Sequence, residues 1–184
     1  MIAGSVRGRH LIVPQPSRRW GGPQVRPTSD LVRGAIFSAL ASLQADMSRV
    51  LDLYAGSGAL GIEAISRGAE WCDFVEKDRA TCETIRRNLR ATGFEHQARV
   101  YALSAVRALD QLAEPYTLVL ADPPYEDETA LGVLESLSER GLVHQREALL
   151  VLEHSARNEA KSEIGGLALV SSRRHGDSGI SIYR

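Results

Sequence analysis

The sequence predicts an α/β fold, a mostly parallel sheet with helices on both faces and a closing antiparallel hairpin. Two observations carry this. From residue 49 onward, short apolar runs alternate with amphipathic stretches of helix length. After residue 166 that alternation gives way to two extended runs around a polar turn.

Residues 1–27 read as a basic arm or small β-hairpin. Gly4, Gly8, Gly21 and Gly22, with Pro14, Pro16, Pro23 and Pro27, punctuate short apolar pieces such as Leu11-Ile12-Val13. At Thr28-Ser29-Asp30, side chains able to cap free amides precede Leu31, Val32, Ala35, Ile36, Ala39, Leu40 and Leu43 at helical spacing. A second unit, residues 28–184, therefore begins there with a helix. Strands are expected at 50–54, 72–76, 98–103, 117–121 and 148–153. Helices are expected between them at 60–67, 79–92, 105–112 and 128–140. Right-handed crossovers then place helices on both faces of the sheet. Residues 167–172 and 180–183 flank Arg173-Arg174-His175-Gly176-Asp177-Ser178-Gly179 and read as the closing hairpin.

A length of 184 residues fits one main domain, and 43% hydrophobic with 24% charged residues is ordinary for a soluble protein with a real core. The longest apolar runs, such as 148–152, fall far short of the ~20 residues of a membrane span. No basic-then-apolar signal segment opens the chain. Cys72 and Cys82 are too few for a disulfide scaffold, and the expected location is cytoplasmic. Five scattered histidines and the absence of Cys-x-x-Cys argue against a metal site. Charge is uneven. Residues 1–50 hold seven arginines against two acids, whereas the rest holds 15 basic and 21 acidic side chains. A basic arm on an acidic body is the layout expected where one end meets a polyanion.

Open α/β sheets bind ligands beyond the carboxyl ends of their strands. The first strand ends in Asp52-Leu53-Tyr54-Ala55-Gly56-Ser57-Gly58-Ala59-Leu60-Gly61, a turn that lets backbone approach a ligand just before a helix N-terminus. Gly56, Gly58 and Gly61 match a dinucleotide fingerprint. Asp52 argues against one, because it would repel a pyrophosphate yet could pair with an ammonium, directly or through water. Glu76, at the end of the next strand, suits two ribose hydroxyls.

Leu120-Ala121-Asp122-Pro123-Pro124-Tyr125 is the most specific segment. Two prolines stiffen the backbone and remove two donors, leaving carbonyls to accept. Tyr125 offers a flat face to a planar base, while Asp122 and the Pro123 carbonyl accept the two protons of an exocyclic amine. Orienting those protons aims the nitrogen lone pair at an electrophile held by the glycine loop.

Asp52-x-x-x-Gly56-x-Gly58, Glu76-Lys77-Asp78 and Asp122-Pro123-Pro124-Tyr125 resemble the S-adenosylmethionine-dependent amino-methyltransferases. Arg7-Gly8-Arg9, Arg26-Pro27-Thr28-Ser29-Asp30 and the glycine segment resemble the bacterial branch that methylates guanine N2 in small-subunit (16S) rRNA. That resemblance runs from residue 1 to Ile180-Ser181-Ile182-Tyr183. It implies a Rossmann-like class I sheet of seven strands and S-adenosylmethionine as cofactor, leaving as S-adenosylhomocysteine. It places the cofactor against Asp52, Tyr54, Ala55, Gly56, Gly58, Glu76, Lys77, Ser104, Ala105 and Asp122, and the chemistry on Asp122, Pro123, Pro124 and Tyr125. Many relatives carry Asp or Asn after the third strand to bond the adenine amine, where this chain has Ser104-Ala105. The substrate implied is an assembled or partly assembled small subunit rather than free RNA, acted on by a monomer.

Arg7, Arg9, Arg18, Arg19, Trp20 and Arg26 are the residues expected to meet RNA, the arginines on phosphates. Trp20 either stacks on a base or staples the arm to the body, and the arm as a whole either holds RNA or covers the sheet. Rival readings are an adenine-N6 methyltransferase, a non-catalytic RNA-binding module and an NAD-dependent oxidoreductase. The first could act on DNA or RNA, and a DNA enzyme of that kind usually carries an inserted recognition domain for which 184 residues leave no room.

Overall fold

The strands that are buried on both faces are largely apolar, broken by Asp52 in the first and Asp73 in the second, and they build the centre of the sheet. The computed structural model describes residues 1–13, 30–144 and 147–184. In chain order the elements are α1 (Asp30–Ser42), β1 (Arg49–Leu53), α2 (Ala59–Ser66), β2 (Trp71–Glu76), α3 (Arg79–Thr92), β3 (Ala98–Ala102), α4 (Ala105–Ala108), β4 (Leu118–Ala121), α5 (Ala130–Glu139), β5 (Leu149–Ser155), β6 (Glu163–Ile164), β7 (Leu167–His175) and β8 (Ser178–Tyr183). The sheet order is β3-β2-β1-β4-β5-β8-β7-β6. The first five of these are parallel, and β8, β7 and β6 run antiparallel to their neighbours. Strand order reverses between β1 and β4, and that crevice positions the site.

Two cores cover the sheet. On one face α1, α2 and α3 bury Ile36, Phe37, Leu40, Ile62 and Ile85 against Val50, Phe74, Leu120 and Val151. On the other, α4 and α5 bury Ala108, Leu134 and Leu137 against Leu51, Val119, Leu150 and Tyr183. Helix α3 spans the residues its pattern predicts. The Asp78 side chain accepts the Thr81 N–H at its start, and Gly93, at φ +81°, stops it. Helix α2 lies so close to β2 that a Cβ on Gly61 would sit 2.4 Å from the Phe74 ring. Only glycine fits there.

The seven expected strands form, and a two-residue eighth, β6, adds itself at the edge by pairing with β7. The closing hairpin is longer than its sequence suggests: Arg173, Arg174 and His175 belong to β7, and only Gly176 and Asp177 turn. Helix α4 is a single turn, ending at Ala108 rather than Leu112. The expected N-terminal β-hairpin is not formed within residues 1–13, which contain turns and no strand. The reason lies in where the backbone donors go. The Ile2 and Ala3 N–H groups meet the two oxygens of the buried Glu63 at 2.9 and 3.0 Å, Ser5 N–H meets the Ser66 carbonyl at 2.8 Å, and Ile12 N–H meets Asn88 at 2.8 Å. Residues 1–13 are thus stitched to α2 and α3. The junction of the arm with the body, including Thr28 and Ser29, lies outside the described residues. Among the described residues, no helix is long and apolar enough to cross a membrane.

Candidate active site

The site forms where β1, β2, β4 and β5 end. Asp52 is 1% exposed, and one of its oxygens accepts the Gly61 N–H in the first turn of α2 at 2.8 Å. Tyr54 follows at φ +71°, a left-handed conformation costly for a non-glycine residue and typical of functional turns. Its hydroxyl is buried with no hydrogen-bond partner among the described residues, and burial and Asp127 push its pKa up. Ala55 N–H ties the turn to the Val75 carbonyl at 2.9 Å. Gly56 N–H donates to Glu76 Oε2 at 3.0 Å, and Asp78 N–H to Glu76 Oε1 at 2.8 Å. Each Glu76 oxygen keeps a second lone pair, so the carboxylate shapes the loop and still has capacity for ligand hydroxyls.

Asp122 and Pro123 follow β4 directly, beside Asp52 in the β1–β4 register, where Asp52 pairs with Leu120 and Leu53 with Ala121. The Pro124 carbonyl accepts Asp127 N–H at 2.9 Å, whereas no described N–H donates to that of Pro123. Pro123 is buried, while Tyr125 is 52% exposed and lays its ring at the surface, its hydroxyl 3.0 Å from Ser178 Oγ. The cluster is lopsided in charge. Burial, with Asp122 and Glu76 adding to it, drives the Asp52 pKa up to about 8, against the pull of the Gly61 N–H. Burial and Asp122 drive that of Glu153, near the end of β5, up to about 7. Among the described residues no arginine or lysine pairs with Asp52, Glu76 or Glu153.

The other expected residues divide. Ser104 caps α4 by accepting the Arg107 N–H at 3.4 Å, and Ala105 is buried beside it, at the end of β3 next to Glu76. Lys77 is exposed and enters none of the hydrogen bonds or ion pairs described. Arg7 is exposed, whereas Arg9 donates to the Ala91 carbonyl near the C-terminus of α3. Arg18, Arg19, Trp20 and Arg26 lie outside the described residues. Three residues escaped the sequence reading. Asn88, 1% exposed on α3, donates to the carbonyls of Ile12 and of Ser57 in the glycine loop, both at 2.9 Å. Glu153 and Ser178 face the Asp122 loop. An acid inside a buried strand was the one visible signal for Glu153.

A parallel sheet that ends in this glycine turn, these carboxylates and an Asp-Pro-Pro-Tyr loop defines an S-adenosylmethionine-dependent methyltransferase, and S-adenosylmethionine is its cofactor. The chain belongs to the family described as Conserved hypothetical protein 95, whose model matches residues 1–184. It is 37% identical over 158 residues to Ribosomal RNA small subunit methyltransferase D of Escherichia coli (strain K12), covering 86% of this chain and 75% of that one. It is 34% identical over 187 residues to YlbH of Bacillus subtilis (strain 168), whose name suggests rRNA methylation, covering 100% of this chain and 97% of YlbH. Among solved structures, Escherichia coli yhhF, titled as a candidate methyltransferase, superposes with a TM-score of 0.83 at 32% identity. That match covers 99% of this chain and 94% of the other.

The residues fit the cofactor. Acids without basic partners suit a ligand carrying a sulfonium and an ammonium, as opposite charge is what a crowded carboxylate cluster lacks. Asp52, Glu76 and the Gly56–Gly58 turn would hold its amino-acid and ribose parts. The cap uses only the Ser104 oxygen, so its hydroxyl proton would be available to an adenine ring.

Proposed function

We propose that this protein methylates the exocyclic N2 amine of a guanine in 16S rRNA, within the assembled small ribosomal subunit. The observation that carries the chemistry is the Asp122-Pro123-Pro124-Tyr125 loop at the end of β4, against the carboxylate cluster. When bound, S-adenosylmethionine supplies a methyl carbon on a positively charged sulfur. Tyr125 stacks the base, and Asp122 and the Pro123 carbonyl accept the two amine protons, turning the nitrogen lone pair toward the glycine loop. As the N–C bond forms, the amine gives up one proton, and Asp122 is the carboxylate placed to receive it. Positive charge growing on nitrogen meets a pre-arranged negative site. The names of the relatives and the basic arm support rRNA as substrate, with Arg7, Arg18, Arg19 and Arg26 on phosphates, Arg9 beside them, and Trp20 against a base or the body. On this reading the enzyme works as a cytoplasmic monomer.

The test is transfer of labelled methyl groups to purified small subunits, naked 16S rRNA and DNA, with the product nucleoside identified. N2-methylguanosine, formed best on subunits, is the expected result. N6-methyladenosine, or label on DNA, would overturn the proposal.

A further inference from the structure

Glu153 has no part in the chemistry above, yet it is built into the same site. It is 6% exposed, and its strand neighbours Leu149 and Val151 pack in the α1–α3 core. Alternation along β5 therefore turns Glu153 to the sheet face that carries Val50, Asp52 and Leu120. Its Oε1 accepts the Ser178 hydroxyl at 2.7 Å. Ser178 has a single proton to give, so the 3.0 Å contact between Ser178 Oγ and the Tyr125 hydroxyl is donated by Tyr125. The aromatic plate, the serine and the carboxylate thus form one hydrogen-bonded string. The other oxygen, Oε2, is buried with no partner among the described residues. A buried carboxylate oxygen left without a donor, beside a loop that binds an amine, calls for a ligand N–H.

We propose that Glu153 reads the base: its Oε2 accepts the ring N1–H of the target guanine, next to the N2 amine held by Asp122 and Pro123. This rests on the guanine-N2 reading above. The chemistry is selective because the amines of the two purines have different neighbours. Guanine N2 is flanked by a donor, N1–H, and an acceptor, N3. Adenine N6 has the bare acceptor N1 beside it, which an ionised carboxylate repels. A site that offers only an acceptor there admits guanine and rejects adenine. Ser178 fixes which oxygen faces the site, and through Tyr125 it ties reader and stacking plate together. Burial and Asp122 push the Glu153 pKa up to about 7, so the ionised form that accepts N1–H gains population as pH rises through that value.

The experiment first maps the modified nucleotide on small subunits with the wild-type enzyme. A product other than N2-methylguanosine at that step would defeat the underlying reading before any variant is made. Subunits are then reconstituted from ligated rRNA carrying guanine or 2-aminopurine at the mapped position. 2-Aminopurine keeps the amine but has a bare acceptor at N1. Wild type should prefer guanine by about tenfold or more in kcat/KM. In E153Q the amide carbonyl keeps the Ser178 hydrogen bond and the amide NH2 takes the place of Oε2, a donor where an acceptor stood. Its preference should shrink to nothing or invert, with S-adenosylmethionine affinity by calorimetry within about twofold of wild type. S178A, which keeps the carboxylate, covers the case of an unfolded E153Q and should lose part of the discrimination. Unchanged discrimination in the folded variants would overturn the proposal. So would a loss of cofactor affinity, which would assign Oε2 to the ligand ammonium, or an equal loss on both bases with a lowered Tm.

Discussion

Asp52 and Asp73 are the same residue on neighbouring strands, each 1% exposed, and they do opposite jobs. Asp73 pairs with Leu51, one step before Asp52 in the register, and turns to the other face of the sheet. It is surrounded by donors: the Tyr116 hydroxyl at 2.7 Å, Trp71 Nε1 at 3.0 Å and the Arg49 guanidinium at 3.5 Å. Arg49 in turn binds Glu114 at 2.7 Å and lies over the Tyr116 ring at 5.6 Å. Asp52 has one backbone N–H and two carboxylate neighbours. Burial does not separate structure from function here. The supply of donors does: a fully matched buried acid is scaffold, and an under-matched one at a strand end is a candidate for a cationic ligand.

The largest effect should come from the scaffold side. Asp73→Ala leaves Tyr116, Trp71 and Arg49 without their acceptor, and removing one partner of a buried charge pair costs about 3–5 kcal/mol. Chemical denaturation should show that loss, while the molecules still folded transfer methyl groups normally. Impaired turnover in the folded fraction would blur the contrast between the two acids. Next in size is Asp122→Ala, expected to lower methyl transfer by about a hundredfold or more with cofactor affinity within a few-fold, as for loss of one pre-arranged charge-stabilising group. Single-turnover rates beside calorimetric affinities would decide it, and near-normal rates would remove Asp122 from the chemistry. Glu76→Ala should weaken cofactor binding by about ten- to a hundredfold, matching roughly 1.5–3 kcal/mol for hydrogen bonds to a charged group. An unchanged dissociation constant would place the ribose elsewhere.

A fourth expectation concerns pH. Asp52 holds its proton in the folded protein up to about 8, whereas the unfolded chain releases it near the ordinary value of 3.8. Between those limits the native state binds more protons, so stability falls as pH rises through that window. Thermal melts of ligand-free protein from pH 5 to 8.5 should decline by about 2–4 °C for each kcal/mol so lost, and Asp52→Asn should flatten the decline. A positively charged cofactor reverses the sign, so its affinity should increase across the same range. Identical pH profiles for wild type and Asp52→Asn would remove Asp52 from the cluster.

What was legible in the sequence was local or rare. Asp78, the amphipathic run and Gly93 fix α3 without help from the rest of the chain, and its predicted bounds, residues 79–92, agree with the structure. Asp122-Pro123-Pro124-Tyr125 is distinctive because two prolines seldom follow a buried strand. What stayed hidden depends on distant partners. Glu153 looks like any acid at a strand end until Ser178 and Tyr125, 25 and 28 positions away, are brought beside it. The N-terminal glycines and prolines announce turns, but the acceptor of the Ile2 amide is Glu63, 61 positions on, and no local pattern names it. A hairpin or an extended arm was the natural expectation, and within residues 1–13 a long-range carboxylate takes the amides.

Asn88 gives the arm and the cofactor loop a common hinge. One buried side chain holds Ile12 by both its N–H and its carbonyl, and with the same amide group holds Ser57. If the arm binds RNA as proposed, thermodynamic linkage imposes symmetry: whatever factor RNA contributes to cofactor affinity, the cofactor must return in equal measure to RNA affinity. Order of addition would leave that factor untouched, because it belongs to the closed cycle and not to either path around it. The two ligands would meet as correspondents through a single amide, each able to read the other's arrival some distance from where the methyl group changes hands.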